Sequence, residues 1–445
     1  MRIGVKQPSV RALLDRLLTA GLEAADPAVA LQRCVSRHGN RLIVGRRTYD
    51  LRRMRRIMVV GAGKASARMA TALEDILGDR LAGGLIVVKY GHTAATKIID
   101  LVEAGHPVPD LTGQRAAQRL LELIGGLSSH DLLFVLLSGG ASSLLPAPAP
   151  GLTLSDKQQT TELLLRSGSS IQEINVVRKH LSALKGGRLA AATQAKTVSL
   201  ILSDVLNDDL STIASGPTVP DPTTYADACS ILRRYGVWSG TPVRVRRYLL
   251  DGRRGLHRES PKPGVHIFNR VHNEIIANNR VAVEAVAQEA TQCGIQPLVL
   301  TASVTGEAKE AARVFGAVAR EIATSGRPIT RPACVIAGGE LTVTVRGDGK
   351  GGRAQEFALA AAREIAGLRR IYIAGFGTDG TDGPTDASGA VVDGQTIAGA
   401  SALGLNPLKA LLRNDAYPLL KQLGSLIISG PTGTNVNDLY LLFAL

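Results

Sequence analysis

Arg56-Ile-Met-Val-Val-Gly-Ala-Gly-Lys-Ala-Ser-Ala-Arg68 is a short apolar run that breaks into Gly61, Gly63 and Lys64. The pattern predicts a buried strand over 57–60 and a helix over 65–77 rich in Ala, Leu and Met. A glycine-rich turn between strand and helix aims backbone N–H groups and a helix N-terminus at one point, which suits an anionic phosphate. Lys64 adds a mobile positive charge there. The stretch reads as part of a phosphate-handling α/β enzyme. A tight strand-to-helix connection, with Gly tolerating φ > 0, accounts for the same residues.

The turn matches no standard nucleotide motif. A Walker A loop needs Gly at the position of Met58 and Ser or Thr at the position of Ala65. A dinucleotide fingerprint needs Gly where Ser66 stands. The acid that holds a ribose hydroxyl about 20 residues further on is also missing. The strand predicted over 84–88 ends instead in Lys89 and Tyr90.

Outward from this turn the pattern alternates. A helical stretch covers 8–35, and after 84–88 come a turn at Gly105-His-Pro-Val-Pro-Asp110, a helix over 112–127 and a strand over 132–137. A helix over 155–167 and a basic helix around 173–193 lead to a strand over 197–202. Such alternation predicts a Rossmann-like, doubly wound parallel sheet with ligands at the carboxyl ends of its strands. The pattern fails between about 238 and 272, which reads as a connection. A second α/β run follows, with helices over 279–293, 305–325 and 354–367. Its strands are expected over 296–301, 333–337, 341–346, 371–374 and 426–428. Two α/β/α domains are expected, at 8–250 and 265–445, the second with a mixed sheet.

Composition narrows the class. The chain has 445 residues, 45% of them apolar, enough for two or three packed cores. No apolar run reaches the roughly 18 residues a membrane span needs, so no membrane role is expected. The start lacks a secretory h-region, and the four cysteines show no C-x-x-C pair, so a reducing cytoplasm is the expected setting. Fifty-two Lys and Arg against 38 acids give a net charge of +14, which admits nucleic-acid binding. Aromatics are only 3%, too few for stacking platforms, and a basic solvated face that attracts anionic metabolites fits better. The densest cluster, Arg46–Arg56, is expected to cap a sheet edge or lie on the surface.

The chemistry-bearing loops fall at predicted strand ends. Ser138-Gly-Gly-Ala-Ser-Ser143 reads as an anion nest or hydroxyl-binding loop, or as an ordinary glycine turn. Arg178 and Lys185, seven apart, would share a face of the basic helix and could clamp a carboxylate or phosphate, or form a solvated stripe. Asp204, just past the 197–202 strand, stands where α/β enzymes place a metal ligand or general base. Asp208 and Asp209 read equally as helix caps. In the second run, Gly338-Gly-Glu340 follows a strand and Arg346–Glu356 is a glycine-rich basic loop. Asp379, Asp382 and Asp386 could ligate Mg²⁺ or Ca²⁺, though not at EF-hand spacing.

Taken together, several segments carry a specific resemblance. They are Val60-Gly-Ala-Gly-Lys-Ala, Ala104-Gly-His-Pro-Val-Pro-Asp110, Leu137-Ser-Gly-Gly-Ala-Ser and Ile174-Asn-Val-Val-Arg-Lys-His-Leu-Ser. Further on come Ala214-Ser-Gly-Pro-Thr-Val-Pro-Asp-Pro-Thr223, Gly338-Gly-Glu340, Gly351-Gly-Arg-Ala-Gln-Glu-Phe357 and Gly430-Pro-Thr-Gly-Thr-Asn-Val-Asn-Asp438. In this order, from about residue 10 to the end, they resemble the bacterial and archaeal glycerate 2-kinase family, whose C-terminal part, here from about 330, is called the MOFRL domain. Members have often been labelled hydroxypyruvate reductases, which is the competing enzyme reading. The chain departs from the family's usual pattern at Ala141 (Gly), Leu206-Asn207 (Pro-Gly) and Ala354 (Asn).

The resemblance implies phosphorylation of D-glycerate to 2-phosphoglycerate by ATP with a divalent metal, Mg²⁺, in a cleft between two α/β domains. Lys64 and Arg353 would stabilise the transferring phosphoryl group or bridge it to glycerate, and Asp204 would accept the glycerate proton or hold the metal. Ser138, Gly139, Gly140, Ser142, Arg178 and Lys185 would face glycerate. Gly61, Gly63, Glu340 and Asn435 would line the nucleotide, with Asp379 as a further metal ligand. Nucleic acid is not an expected partner, and the sequence leaves homo-oligomerisation open.

Overall fold

The computed structural model describes residues 1–445. The chain divides into two compact units, Pro27–Ile276 and a discontinuous one made of Met1–Asp26 with Ala277–Leu445.

Pro27–Ile276 is built on a six-stranded sheet. Across it run Val271–Ala277, Lys196–Leu202, Leu132–Leu137, Ile57–Ala62, Leu81–Lys89 and Ile99–Ala104. From Lys196–Leu202 across to Ile99–Ala104 every neighbouring pair is parallel. Counted along the chain the order is 6-5-4-1-2-3, the doubly wound arrangement, with its switch point between Ile57–Ala62 and Leu132–Leu137. Leu132–Leu137 is buried at every residue, as a strand covered on both faces must be. At the amino end of these strands Asp131 is fully buried and accepts from both Arg55 and Arg56. Their hydrogen bonds outweigh the cost of burial and hold its carboxyl far below the usual range. Two arginines of the basic cluster therefore pin the sheet's base, while Arg47–Asp50 forms the edge of a small three-stranded sheet.

The other unit carries a seven-stranded sheet ordered Arg2–Ile3, Leu426–Ile428, Gly389–Asp393, Ile371–Gly377, Asp438–Ala444, Ala333–Gly339 and Gln296–Val304. It is mixed, as expected. Asp438–Ala444 lies antiparallel to both neighbours and is wholly buried. The register Gly339↔Asp438↔Gly377 brings the loops after two strands and before the third to one end of the sheet.

Several expected elements differ. The 8–35 helix is two, Pro8–Ala24 and Pro27–Cys34, because Pro27 cannot continue the first. Pro8–Ala24 packs on the Asn279–Gln292 helix, with Gly21 against Val286, so residues 1–26 group with the C-terminal part rather than opening the first domain at residue 8. The basic helix stops at His180 with Leu181 as its C-cap, and further on Gly186 and Gly187 turn the chain with φ of +58° and +77°. The connection at 238–272 holds a helix, Val243–Arg253. The alternating 341–346 segment makes only an isolated bridge, Thr342 to Glu307. No helix is long and apolar enough to cross a membrane.

Candidate active site

Strands Ile57–Ala62 and Leu132–Leu137 run in register to Ala62↔Leu137 and deliver Gly63 and Ser138 side by side at the switch point. The backbone N–H of Lys64 donates to the Gly139 carbonyl at 2.9 Å. Ser138 Oγ accepts from the Ala65 N–H at 3.1 Å and lies 3.0 Å from Ser66 Oγ. Ser66, which breaks the dinucleotide fingerprint, thus stitches its helix to the neighbouring loop. Gly63 has φ of +142°, and a Cβ there would overlap Ser138 Oγ, so the close approach requires glycine. The Lys64 side chain is half-buried and makes no hydrogen bond or ion pair.

The next strand, Lys196–Leu202, brings Asp204 to the same turn. A Cβ on Gly139 would overlap Asp204 Oδ2, so the carboxylate rests against the bare Cα of that residue. On Gly140, with φ of +88°, a Cβ would come within 3.0 Å of His106 Nε2 and 3.6 Å of Lys64 Cγ. The two glycines therefore leave room for a carboxylate on one side and for an imidazole and a lysine on the other. Burial first, then the charges of Lys64, Lys89 and His92, push the His106 pKa down to about 4, so its ring is neutral near pH 7. Sequence reasoning quoted the Gly105-His-Pro motif without giving His106 any chemistry. Asn207 takes φ of +61°, a left-handed conformation that Asn tolerates among non-glycine residues.

Ser142 continues this loop. Its Oγ lies 2.9 Å from Ser215 Oγ, which donates to Asn175 Oδ1 at 3.0 Å. Lys185 Nζ donates to the Ser142 carbonyl at 2.7 Å and to its Oγ at 3.0 Å. Lys185 is not on the helix that carries Arg178, so the shared-helix-face reading is corrected. The turn through Gly186 nonetheless brings both cations to one cavity with Ser142. Ala214 and Ser215 hold φ of +52° and +60°, strained backbone that places the Ser215 hydroxyl in this chain. Asn175 and Ser215 went unnamed as site residues. Both lie in the quoted family segments.

In the other unit, Arg353 opens the helix Arg353–Glu364 and is held by two acids. It grips Asp438 through Nε at 2.6 Å and Nη2 at 3.1 Å, and donates from Nη1 to Glu340 at 2.6 Å. Tyr440 also donates to Asp438, at 2.7 Å. Asp382 is buried and caps the Arg353 helix by accepting from the N–H groups of Ala354 and Gln355 at 3.1 and 2.8 Å. Burial raises its pKa to about 6 despite those bonds. Asp379 closes its own turn, accepting from the Thr381 N–H at 3.0 Å, and Asn435 accepts from the Asn437 N–H at 3.1 Å. Thr378 joins these two loops by donating to the Asn437 carbonyl at 2.6 Å and accepting from the Val436 N–H at 2.9 Å. Glu340, Arg353, Asp379 and Asn435 thus gather at one end of the mixed sheet.

No group of three or more His, Cys, Asp or Glu side chains converges as a protein-only metal cage. Mg²⁺ does not need one: it is usually held by one or two carboxylates together with substrate phosphates. Asp204 or Asp379 fits that role.

Residues 13–250 match the family described as a domain of unknown function (DUF4147), and residues 333–438 match the MOFRL family. The chain is 42% identical to a glycerate 2-kinase of Pyrococcus horikoshii across 97% of each chain. It is 41% identical to an Agrobacterium vitis protein provisionally named hydroxypyruvate reductase, over 97% of this chain and 94% of that one. The crystal structure of a glycerate kinase from Thermotoga maritima superimposes with a TM-score of 0.88 at 39% identity, covering 99% of this chain and 100% of the other.

Proposed function

The chain belongs to the glycerate kinase family that pairs a DUF4147 domain with a C-terminal MOFRL domain, and we propose that it transfers the γ-phosphoryl group of ATP to the 2-hydroxyl of D-glycerate. The observation that carries this reading is the pair of glycine turns at the switch point, with Lys64 uncommitted beside them and Asp204 against Gly139. Phosphoryl transfer asks a protein mainly for positioning and for cations around the equatorial oxygens. Lys64 supplies such a cation on a flexible stem. Ser138, Gly139, Gly140, Ser142, Arg178 and Lys185 face the acceptor, and Gly61 and Gly63 let the backbone approach a phosphate.

Asp204 sits where it can take the 2-hydroxyl proton or hold Mg²⁺. Bound Mg²⁺ would neutralise phosphate charge. Glu340, Asn435 and Asp379 serve the nucleotide in this reading, and Arg353 serves the transferring group. The two acids that grip Arg353 fix the direction of its guanidinium. Four unpaired cysteines suit a reducing cytoplasm.

The Agrobacterium vitis relative favours a second reading, NAD(P)H-dependent reduction of hydroxypyruvate. Against it, the strand next to the glycine turn ends in Lys89, with no acid to hold an adenosine ribose. Two assays on one preparation separate the readings. We expect ADP to form from ATP, Mg²⁺ and D-glycerate, with no NADH or NADPH oxidised by hydroxypyruvate. Robust oxidation without ADP formation would replace the kinase reading.

A further inference from the structure

A cavity of about 360 Å³ beside Ser142 is lined by three cationic side chains, Lys157, Arg178 and Lys185. They come from three segments: the helix Leu154–Arg166, the helix Ile171–His180 and the turn after it. Lys157 and Lys185 are only 8% and 3% exposed. Their ammonium groups donate to backbone carbonyls, Lys157 to Leu181 at 3.0 Å and Lys185 to Ser142 at 2.7 Å. Neither has an ion pair, and the Arg178 guanidinium makes no hydrogen bond or ion pair. The single acid on the lining, Glu162, is exposed and already bonded by Arg166 at 2.6 Å. Lys179, by contrast, points to its own counter-ion, Asp221, at 3.5 Å.

Buried cations without a counter-ion cost folding free energy, and proteins rarely keep three together unless an anion joins them. Burial and mutual repulsion leave their mark. The Lys157 pKa falls to about 7, by burial and then by Arg178 and Arg188. Lys185 drops well below its usual range, by burial and then by Arg178 and Lys157. Much of the remaining wall, including Val108, Pro146 and Leu154, is apolar, with Ser142, Gln158 and Thr161 as its uncharged polar side chains. Lys185 reaches the Ser142 hydroxyl, so the cavity adjoins the loop assigned to the acceptor.

We propose that this cavity is the subsite for the acceptor's carboxylate and that Lys157, on a helix outside the switch-point loops, is a specificity-determining residue of it. The assignment rests on the kinase reading for the identity of the acceptor. The charge arrangement itself does not.

The test uses the full chain with Lys157→Met and Lys157→Arg. Without nucleotide, D-glycerate should raise the wild-type Tm and glycerol should not. Lys157→Met should keep or raise the unliganded Tm, because an unpaired buried charge is gone, yet lose about tenfold or more of its affinity for D-glycerate. Lys157→Arg should recover most of it. In turnover, Lys157→Met should raise KM for D-glycerate by the same factor, with kcat and KM for ATP within about twofold. An unchanged KM, or an equal fall in kcat, would overturn the proposal. Protection by inorganic phosphate but not by D-glycerate or acetate would also overturn it, and mark a phosphate site. If acetate or lactate protects the wild type but not Lys157→Met while D-glycerate is never phosphorylated, the subsite stands and the kinase reading falls. Should Lys157→Met not fold, Lys157→Arg decides: a D-glycerate affinity lost as fully as by charge removal contradicts a role for the charge.

Discussion

The backbone N–H of Lys64 donates to the carbonyl of Gly139 at 2.9 Å, joining the loops that leave two adjacent parallel strands. Because the bond uses the backbone, it sets where the Lys64 side chain begins without occupying its ammonium. A crevice at a switch point is where doubly wound sheets bind ligands. Here its two walls are tied together before any ligand arrives.

Lys64→Ala therefore tests chemistry apart from folding. The tie survives the substitution, so Tm should move little. If the ammonium contacts the transferring group, kcat should fall by roughly 10²–10³, the usual cost of one transition-state donor. A near-normal kcat would return the turn to a purely structural role.

Gly139→Ala and Asp204→Asn should fail in related ways. A Cβ at Gly139 would collide with Asp204 Oδ2 and push the carboxylate from its place, whereas Asp204→Asn removes its charge in place. Both should lose most of kcat while keeping the far-UV circular dichroism spectrum. Excess Mg²⁺ should partly rescue Asp204→Asn if the residue is a metal ligand. If it is the base, metal does nothing and the pH–rate profile loses its acidic limb. Wild-type turnover in Asp204→Asn would remove both roles.

Arg353→Ala should behave differently from Lys64→Ala. Asp438 is only 2% exposed, and Arg353 is its bidentate partner. Removing the arginine leaves a buried carboxylate whose remaining side-chain donor is Tyr440, at a cost of about 3 kcal/mol in stability. Urea unfolding should show that loss alongside any loss of kcat, and Arg353→Ala/Asp438→Asn should regain part of the stability. An unchanged midpoint in Arg353→Ala would mean the pair is not formed in solution.

The legible parts of this fold are the local ones. Apolar runs ending in glycine turns marked the parallel strands at 57–62 and 132–137, and an apolar run ending in Ser203-Asp204 marked the one at 196–202, and with them the positions of Lys64, Ser138 and Asp204. Asp438–Ala444 escaped although its apolar run is visible, because nothing local says that the chain's last strand inserts into the middle of a sheet. The alternating Thr and Val at 341–346 misled because alternation describes a half-buried surface whether or not a partner strand exists. Arg178 and Lys185 reach one cavity through a turn, not a shared helix face. Lys157, His106 and Ser215 were silent because their significance lies in missing counter-ions, a neighbouring lysine and backbone strain, all of them tertiary facts.

The cation cluster also makes stability depend on pH. An unfolded lysine titrates near 10.5, whereas Lys157 in the fold titrates near 7 and Lys185 below its usual range. Between those values the unfolded chain holds protons that the folded chain lacks. The stability these groups allow is therefore present at high pH and lost as pH falls toward the folded value. Urea midpoints without ligand should rise from pH 7 to 9.5, by up to about 1.4 kcal/mol per pH unit for each lysine. A guanidinium is not deprotonated in proteins, so Arg178 stays charged throughout that range. Lys157→Met should flatten the rise, and so should saturating D-glycerate. A midpoint that falls with pH in the wild type, with no difference in Lys157→Met, would contradict the depressed titration.

Regiospecific phosphoryl transfer from ATP to D-glycerate can be read from ³¹P NMR of the reaction mixture. With ATP, Mg²⁺ and D-glycerate, the resonance of 2-phosphoglycerate should grow in step with ADP, and none should be seen with Lys64→Ala on the same timescale. Formation of 3-phosphoglycerate, ADP without a new phosphomonoester, or unchanged ATP would contradict it.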